Sequence, residues 1–395
     1  MASCSKRRAR FAAAVCCIAA SGASSTAFAL DCKDLPEPIY GIGGSAQKPF
    51  FAKVSTALAA AGTPESLVYQ APGACLGVNA ILSGTKLTGT ASYWTAAGTE
   101  QQCDLPLTGQ TADFGSSAVF GTECPGVDAI PADVGDFSGP ITPFVLLVAK
   151  ASSETVISAA GGYFVYGFGD QGQASPWIDE TQIIKRDPNS AAAIVVAKAF
   201  NVPVEKLKGV DAGSNGNTVT LVAESQKPQA AIGFASSEVA EANASKINVL
   251  AFQAYDQTCG YWPSSTATSL DKVNVRDGHY ALWAASHFYA KVDGAGKPVT
   301  EGAQRIIGYF TGSTTPPAGV DIEKLAIQAG AVPDCAMRVK RTEDVGPLAS
   351  YAPEAPCGCY FEVTATGQTT CDACSGDAEC TGAGEKCRFG YCEAY

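Results

Sequence analysis

The stretch 183–200 limits the folds open to this chain. Ile183 and Ile184 are followed by the polar turn 185–190 and then by an apolar segment of helical character, 193–200. A strand that passes through a short turn into an apolar helix is the repeating unit of α/β folds. A helix start presents unpaired N–H groups and a partial positive charge. Arg186 and Ser190 beside this start therefore form a candidate oxyanion site.

A purely structural interpretation of the same turn stays open. Asp187 is a residue type that caps helices, and Pro188 suits a first helical position. In that case Arg186 is a solvated surface residue.

The rest of the body alternates in the same way between strand-like and helix-like segments. The patterns predict strands at 39–42, 66–70, 112–115, 143–150 and 230–235, and helices at 46–61, 76–83, 154–168, 218–225 and 274–291. This alternation predicts an α/β fold whose sheets are covered on both faces.

The first 29 residues predict a signal peptide. Four basic residues precede the apolar stretch 11–20, and Ala27-Phe28-Ala29 is a small-residue cleavage site. We expect a soluble mature chain from Leu30, because no later apolar run is long enough to span a membrane. The net charge of −11 becomes −11 − 4 = −15 after removal of the four basic residues, which argues against nucleic acid as a partner.

The 16 cysteines agree with export. Three lie in the signal, and the remaining 13 fall into two groups: Cys32, Cys75, Cys103, Cys124, Cys259 and Cys335 in the body, and Cys357, Cys359, Cys371, Cys374, Cys380, Cys387 and Cys392 in the tail. This density in an exported chain predicts disulfides, with Cys335 to Cys357 or Cys359 as a bridge between the groups. The odd number leaves one thiol free or paired between chains.

The tail has too few apolar residues for a core of its own. We predict a linker at 336–356 and a small disulfide-stapled module at 357–395. The C-x2-C spacing is also compatible with zinc, but the tail contains no histidine, so disulfides are favoured and no metal is predicted.

Three ordered motifs carry a resemblance to a known family. They are Gly41-Ile42-Gly43-Gly44-Ser45 with the aromatic helix after it, 69–78 with Asp113-Phe114-Gly115-Ser116-Ser117, and the turn 186–192; segment 227–234 adds a fourth. Over residues 38–320 the chain resembles the periplasmic phosphate-binding proteins of ABC transporters. The resemblance implies a type II-like periplasmic-binding-protein fold with two α/β lobes, the first at about 30–142 and 262–335 and the second at about 143–261.

The resemblance also implies a site between the lobes. Ser45 stands at the position of a hydroxyl donor, Arg186 at that of the clamping arginine and Ser190 at that of the turn serine. The full predicted ligand-binding set is Gly44, Ser45, Gly73, Ala74, Cys75, Ser116, Ser117, Arg186, Asn189, Ser190 and Ala191.

Three alanines depart from the family pattern. Ala74 and Ala192 replace hydroxyl donors, and Ala118 replaces the aspartate that accepts a hydrogen bond from a protonated anion. Each lost donor to a charged ligand costs about 1.5–3 kcal/mol, although backbone amides at 73–76 and 189–192 persist. Loss of the acceptor removes the basis for distinguishing phosphate from sulfate.

The sequence thus predicts a bacterial exported protein, periplasmic or at the cell surface. It captures phosphate or a related oxyanion for ABC-type uptake or sensing, with a permease as partner and without a cofactor. No catalytic motif is present, and His279 and His287 are eight residues apart rather than at the spacing of a metal pair. The alternative is a surface or adhesion protein that kept the fold and lost the ligand, with Ser45 acting only as a helix cap.

Overall fold

The computed structural model describes residues 30–394, so the predicted signal peptide lies outside the described residues. The strands are β1 Pro38–Gly43, β2 Ser66–Gln70, β3 Thr90–Trp94, β4 Glu100–Asp104, β5 Phe114–Ser117, β6 Val134–Ala149, β7 Val156–Ser158, β8 Ile184–Lys185, β9 Val210–Asp211, β10 Ile232–Ser236, β11 Ile247–Val249, β12 Ala251–Gln253, β13 Trp283–Lys291, β14 Val339–Lys340, β15 Ala349–Ser350, β16 Lys386–Arg388 and β17 Tyr391–Glu393. The helices are α1 Lys48–Ala59, α2 Ala74–Ser83, α3 Ala159–Phe168, α4 Ala191–Phe200, α5 Asn215–Ala223, α6 Ser237–Ala242, α7 Val273–Arg276, α8 Glu301–Thr311, α9 Ile322–Gln328 and α10 Gly358–Thr366.

One long strand, β6, joins the two lobes. Its first part pairs with β13, and its second part pairs with β10 and β11. The first-lobe strands follow in the order β13-β5-β1-β2-β3-β4, with β1 parallel to both β2 and β5. The pairing partner of β6 changes between Pro143 and Phe144, which is where the chain passes from one lobe to the other.

The first lobe has an aromatic core beneath α1. Phe51 packs on Tyr69 and Phe114 with ring centroids 4.7 and 5.7 Å apart. Helix α2 lies so close to the sheet that a side-chain carbon at Gly77 would be 2.6 Å from the Cα of Gly43. Only glycine permits this approach. The close contact holds the start of α2 at the carboxyl ends of β1 and β5.

The predicted helix over 274–291 is wrong. Only α7 is helical there, and His287 lies in β13 while His279 precedes that strand. Strand β13 is central and buried on both faces, so its sequence lacks the alternation that identifies a strand. The prediction over 154–168 is partly wrong, because β7 precedes α3.

The predicted α/β two-lobe class is confirmed, and so is the disulfide-rich C-terminal module. The disulfides are Cys32–Cys103, Cys75–Cys124, Cys335–Cys357, Cys359–Cys371, Cys374–Cys387 and Cys380–Cys392. Cys335–Cys357 is one of the two alternatives predicted for a bridge from body to tail. Among the described cysteines, Cys259 is unpaired and exposed.

Segment 336–356 runs across the connection between the lobes. Asp344 accepts a hydrogen bond from the Phe120 amide at 2.9 Å, and the Arg341 guanidinium lies 3.6 Å from the centre of the Trp283 ring. Burial raises the pKa of Asp344 to about 6 and lowers that of Arg341 to about 10. Strands β14 and β15 pair within this segment.

Candidate functional site

The starts of two helices meet between the lobes. The amide of Cys75 in α2 donates a hydrogen bond to the carbonyl oxygen of Asn189 at 3.0 Å. Asn189 belongs to the turn before α4, in the opposite lobe. Gly73 approaches the same residue, since a side-chain carbon at Gly73 would lie 3.5 Å from the Asn189 carbonyl oxygen. The structure therefore brings the predicted segments 73–75 and 189–191 together.

Arg186 lies buried directly behind the turn that carries Asn189. Its Nη1 donates to the Oδ1 of Asn215 at 2.7 Å, and its Nη2 donates to the carbonyl oxygen of Gly213 at 3.1 Å. The Nε has no hydrogen-bond partner among the described residues. Desolvation lowers the pKa of the guanidinium, although Asp211 and Asp187 oppose that shift.

Two local predictions about helix caps are corrected by the structure. Helix α4 starts at Ala191 with Ser190 at the cap position, so Asp187 and Pro188 precede the helix rather than begin it. The carboxylate of Asp187 accepts from the amide of Asn189 at 2.8 Å and shapes the turn. Ser45 does not cap α1 either, because Gln47 holds that position.

The predicted hydroxyl groups of the first lobe have different environments. The hydroxyl of Ser116 lies 2.7 Å from that of Tyr69, and Tyr69 also donates to the Gly44 carbonyl oxygen at 2.9 Å. The Ser117 hydroxyl accepts from the Val119 amide at 3.2 Å. Ser116 and Ser117 are thus bound within their own lobe, whereas Ser45 is partly exposed at the lobe boundary.

Two polar residues that the sequence analysis did not single out occupy the lobe interface. The Nε2 of Gln47 donates to the Ser117 carbonyl oxygen at 3.1 Å, while its buried Oε1 has no partner among the described residues. Glu238, at the start of α6 in the second lobe, lines the same small cavity of about 10 Å³ with Thr142 and Ser286. Burial raises the pKa of Glu238 to about 8.

A larger cavity of about 450 Å³ opens beside Ser45. Lys48, Trp94 and Glu100 line it from the first lobe, and Asn215 with Gly216 at the start of α5 line it from the second. The Nζ of Lys48 lies 2.6 Å from Glu100. Asn215, which holds Arg186, thus also faces this opening.

An ion pair closes the opposite side of the cleft. The Nζ of Lys198 in α4 lies 2.5 Å from Glu123 of the first lobe. Glu123 is adjacent to Cys124, whose disulfide to Cys75 fixes this loop to α2. The charge pair therefore links α4 to the α2 start across the lobes.

The fold is similar to that of solved substrate-binding proteins. A putative phosphate ABC transporter substrate-binding protein with bound phosphate from Clostridium perfringens matches with a TM-score of 0.52 at 10% identity, over 75% of this chain and 99% of that chain. An ABC-type phosphate transport receptor from Vibrio cholerae matches with a TM-score of 0.45 at 13% identity, over 74% and 99%. The first of these supports the fold assignment.

No protein-family model and no curated protein matches the sequence. None of the helices within residues 30–394 combines the length and apolar character needed to cross a membrane. The resemblance suggested by the motifs is thus confirmed in the fold: this chain has the two-lobe architecture of the phosphate-type substrate-binding proteins, with a disulfide-rich module added at its C-terminal end.

Proposed function

We propose that this chain is an exported solute-binding protein that holds a small oxyanion between its lobes. The observation that carries the proposal is the Cys75–Asn189 contact, in which an α2 amide meets a carbonyl oxygen from the opposite lobe at 3.0 Å. An oxyanion that replaces this carbonyl gains an α2 amide, the start of α4 and the positive charge of buried Arg186. Delivery to a membrane permease of the ABC type is part of the same proposal.

The expected selectivity between phosphate and sulfate follows from the lack of a hydrogen-bond acceptor at position 118. Ala118 is fully buried and offers no hydrogen-bond acceptor, so a protonated oxyanion has no advantage over a fully deprotonated one. We therefore expect phosphate and sulfate to bind with similar affinities. Amides and one guanidinium supply the binding energy, because Ser116 and Ser117 have partners within their own lobe.

Calorimetric titration of the ligand-stripped chain with phosphate and then sulfate tests the proposal. We expect binding of both anions, with a loss of at least about tenfold in Arg186→Ala and a smaller loss in Arg186→Lys, which keeps the charge. Arg305→Ala is the matched control, because Arg305 is paired with Glu37 at the surface at 3.1 Å. Absence of heat with either anion contradicts an oxyanion site.

A second candidate is a surface protein that kept the fold without the ligand. The specific observation in its favour is that two donors of the cleft already have protein partners, Asn189 for the Cys75 amide and Asn215 for the Nη1 of Arg186. Gln47 also fills space beside Ser117. If neither phosphate nor sulfate binds while the chain is folded with its disulfides intact, this candidate is preferred.

A further inference from the structure

A groove separates the first lobe from the C-terminal module. Its volume is about 580 Å³, and we call it the junction groove. Six of its lining residues define it: Phe137, Phe310, Glu323, Tyr351, Glu354 and Phe389. The two walls come from different parts of the chain, since Phe137 and Phe310 belong to the body and Phe389 to the module. The groove is remote from Arg186 and plays no part in the proposed oxyanion site.

Phe389 is held in an unusual conformation at one wall. It lies at the tip of the hairpin between β16 and β17, has a φ of 51° and is 42% exposed. This left-handed conformation favours glycine or asparagine and is strained for a bulky residue. The ring stacks on Tyr360 with centroids 5.2 Å apart, which fixes its direction. A large aromatic ring is thus displayed at a strained and exposed position.

The groove is strongly one-sided in charge. Four carboxylates line it, those of Asp136, Glu323, Asp334 and Glu354, and no lysine or arginine lines it. Asp136 contacts His287 at 2.8 Å, but no ion pair of the described residues includes Glu323 or Glu354. Aromatic faces beside unneutralised carboxylates attract cations, by their quadrupoles and by direct charge.

We propose that the junction groove binds a basic, arginine- or lysine-containing segment of a partner protein. A cationic side chain enters between Phe389 and Phe310, and Glu323 and Glu354 pair with its charge. The chain already shows this chemistry at the edge of the groove, where the Nζ of Lys340 lies 5.1 Å from the centre of the Tyr351 ring. A second copy of the chain is a poor occupant, because residues 30–395 carry a net charge of −15, the −11 of the whole chain less four basic residues.

Fluorescence anisotropy with a labelled oligo-arginine peptide tests this groove in the full-length mature chain. We expect saturable binding that weakens as salt is raised. Phe389→Asn, which suits the left-handed turn and removes only the ring, should weaken binding about fivefold to tenfold. The double variant Glu323→Gln with Glu354→Gln should weaken it about tenfold at low salt.

A matched double variant keeps the test specific. Glu205 and Glu224 are exposed acids of the second lobe, and their replacement by glutamine removes the same charge far from the groove. If both double variants lose the same amount of peptide affinity, the peptide is attracted by the overall negative charge of the chain. If Phe389→Asn binds the peptide as tightly as wild type, the Phe389 ring does not contact it. Either result overturns the proposal, as does wild-type self-association that Phe389→Asn abolishes. Intact disulfides by mass and an unchanged melting temperature exclude misfolding.

Discussion

The interlobe cleft and the junction groove differ in how their polar groups are satisfied. In the cleft, the Cys75 amide donates to Asn189 and the Arg186 guanidinium donates to Asn215. In the junction groove, Glu323 and Glu354 have no cationic partner among the described residues. An anion in the cleft must therefore displace these two contacts, and the Nε of Arg186 is the group of that guanidinium that already lacks a partner among the described residues. A cation in the groove displaces no ion pair that Glu323 or Glu354 makes with the described residues.

This difference has consequences for affinity and rate. Replacing one hydrogen bond by another yields little net free energy unless the new partner is charged. An oxyanion meets that condition at the cleft. Opening of the lobes must precede its entry, so the cleft should bind slowly, and the open groove should bind quickly with a strong salt dependence.

The largest predicted effect concerns the packing that forms the cleft. A side-chain carbon at Gly77 would lie 2.6 to 2.9 Å from three backbone atoms, so Gly77→Ala must push α2 off the sheet. We expect a loss of about 3 kcal/mol in the free energy of unfolding, measured by urea denaturation, together with the loss of anion binding. Gly216→Ala is the control, because nothing lies within 4 Å of its added carbon, and it should stabilise α5 slightly. Similar values for both variants would contradict the packing argument.

The next effect concerns the attachment of the C-terminal module. Arg276 is 2% exposed, donates to the Ala336 carbonyl oxygen at 3.1 Å, pairs with Glu362 at 3.1 Å and lies 5.1 Å from the Phe361 ring. Arg276→Ala should cost about 2 kcal/mol and make segment 357–394 more sensitive to protease. The cleft lies elsewhere, so anion affinity should stay within about twofold of wild type. A large change in anion binding would mean that the two regions are coupled.

Two buried carboxyl groups, those of Glu238 and Asp344, should affect stability over different ranges of pH. Burial raises the pKa of Glu238 at the cleft from 4.5 to about 8, so its native carboxyl holds a proton more tightly than the unfolded one does. The stability that the protonated Glu238 carboxyl contributes to the folded state is fully present below about pH 4.5 and is lost as the pH rises to about 8. Glu238→Gln should remove this slope and raise the unfolding free energy near pH 8 by about 1–2 kcal/mol.

Asp344 serves as the comparison. Its pKa is raised from 3.8 to about 6, so Asp344→Asn should flatten the slope of stability only between about pH 4 and pH 6. Urea denaturation across these ranges separates the two groups. If Glu238→Gln leaves the slope between about pH 6 and pH 8 unchanged, or Asp344→Asn alters it, the assignment of the two titrations to these two groups is wrong.

Much of the fold follows from local patterns, and the exceptions have physical causes. The helix starts near Ala74 and Ala191 and the Cys335–Cys357 bridge agree with the sequence predictions. Strand β13 was predicted as a helix, because a central strand covered on both faces carries apolar side chains without a period of two. Burial on both faces is a tertiary property that no window of sequence reports.

In the candidate site, too, some features could be predicted from the sequence and others could not. The proximity of 73–75 and 189–191 follows from the resemblance in motif order. The partner of Arg186 could not be predicted, because Asn215 lies 29 residues away and reaches it only through the pairing of β8 with β9 and the start of α5. The sequence position of Gln47 could have identified it, because it is a polar residue between a glycine-rich turn and an aromatic helix, where the chain borders the cleft.

The smallest predicted effect concerns the ion pair between the lobes. Lys198 and Glu123 are partly exposed, so Lys198→Ala should change the free energy of unfolding by only about 0.5 kcal/mol. Lys227→Ala is the control, because Lys227 pairs with Asp179 at 2.6 Å within the second lobe. The two variants should be equally stable, but only Lys198→Ala weakens a contact that holds the lobes together. Small-angle scattering of the ligand-free chain should then show a larger radius of gyration, and stopped-flow mixing with phosphate a roughly twofold faster association. If scattering and rate match those of Lys227→Ala, the lobes are held closed by other contacts between them, such as the Cys75–Asn189 hydrogen bond, rather than by this charge pair.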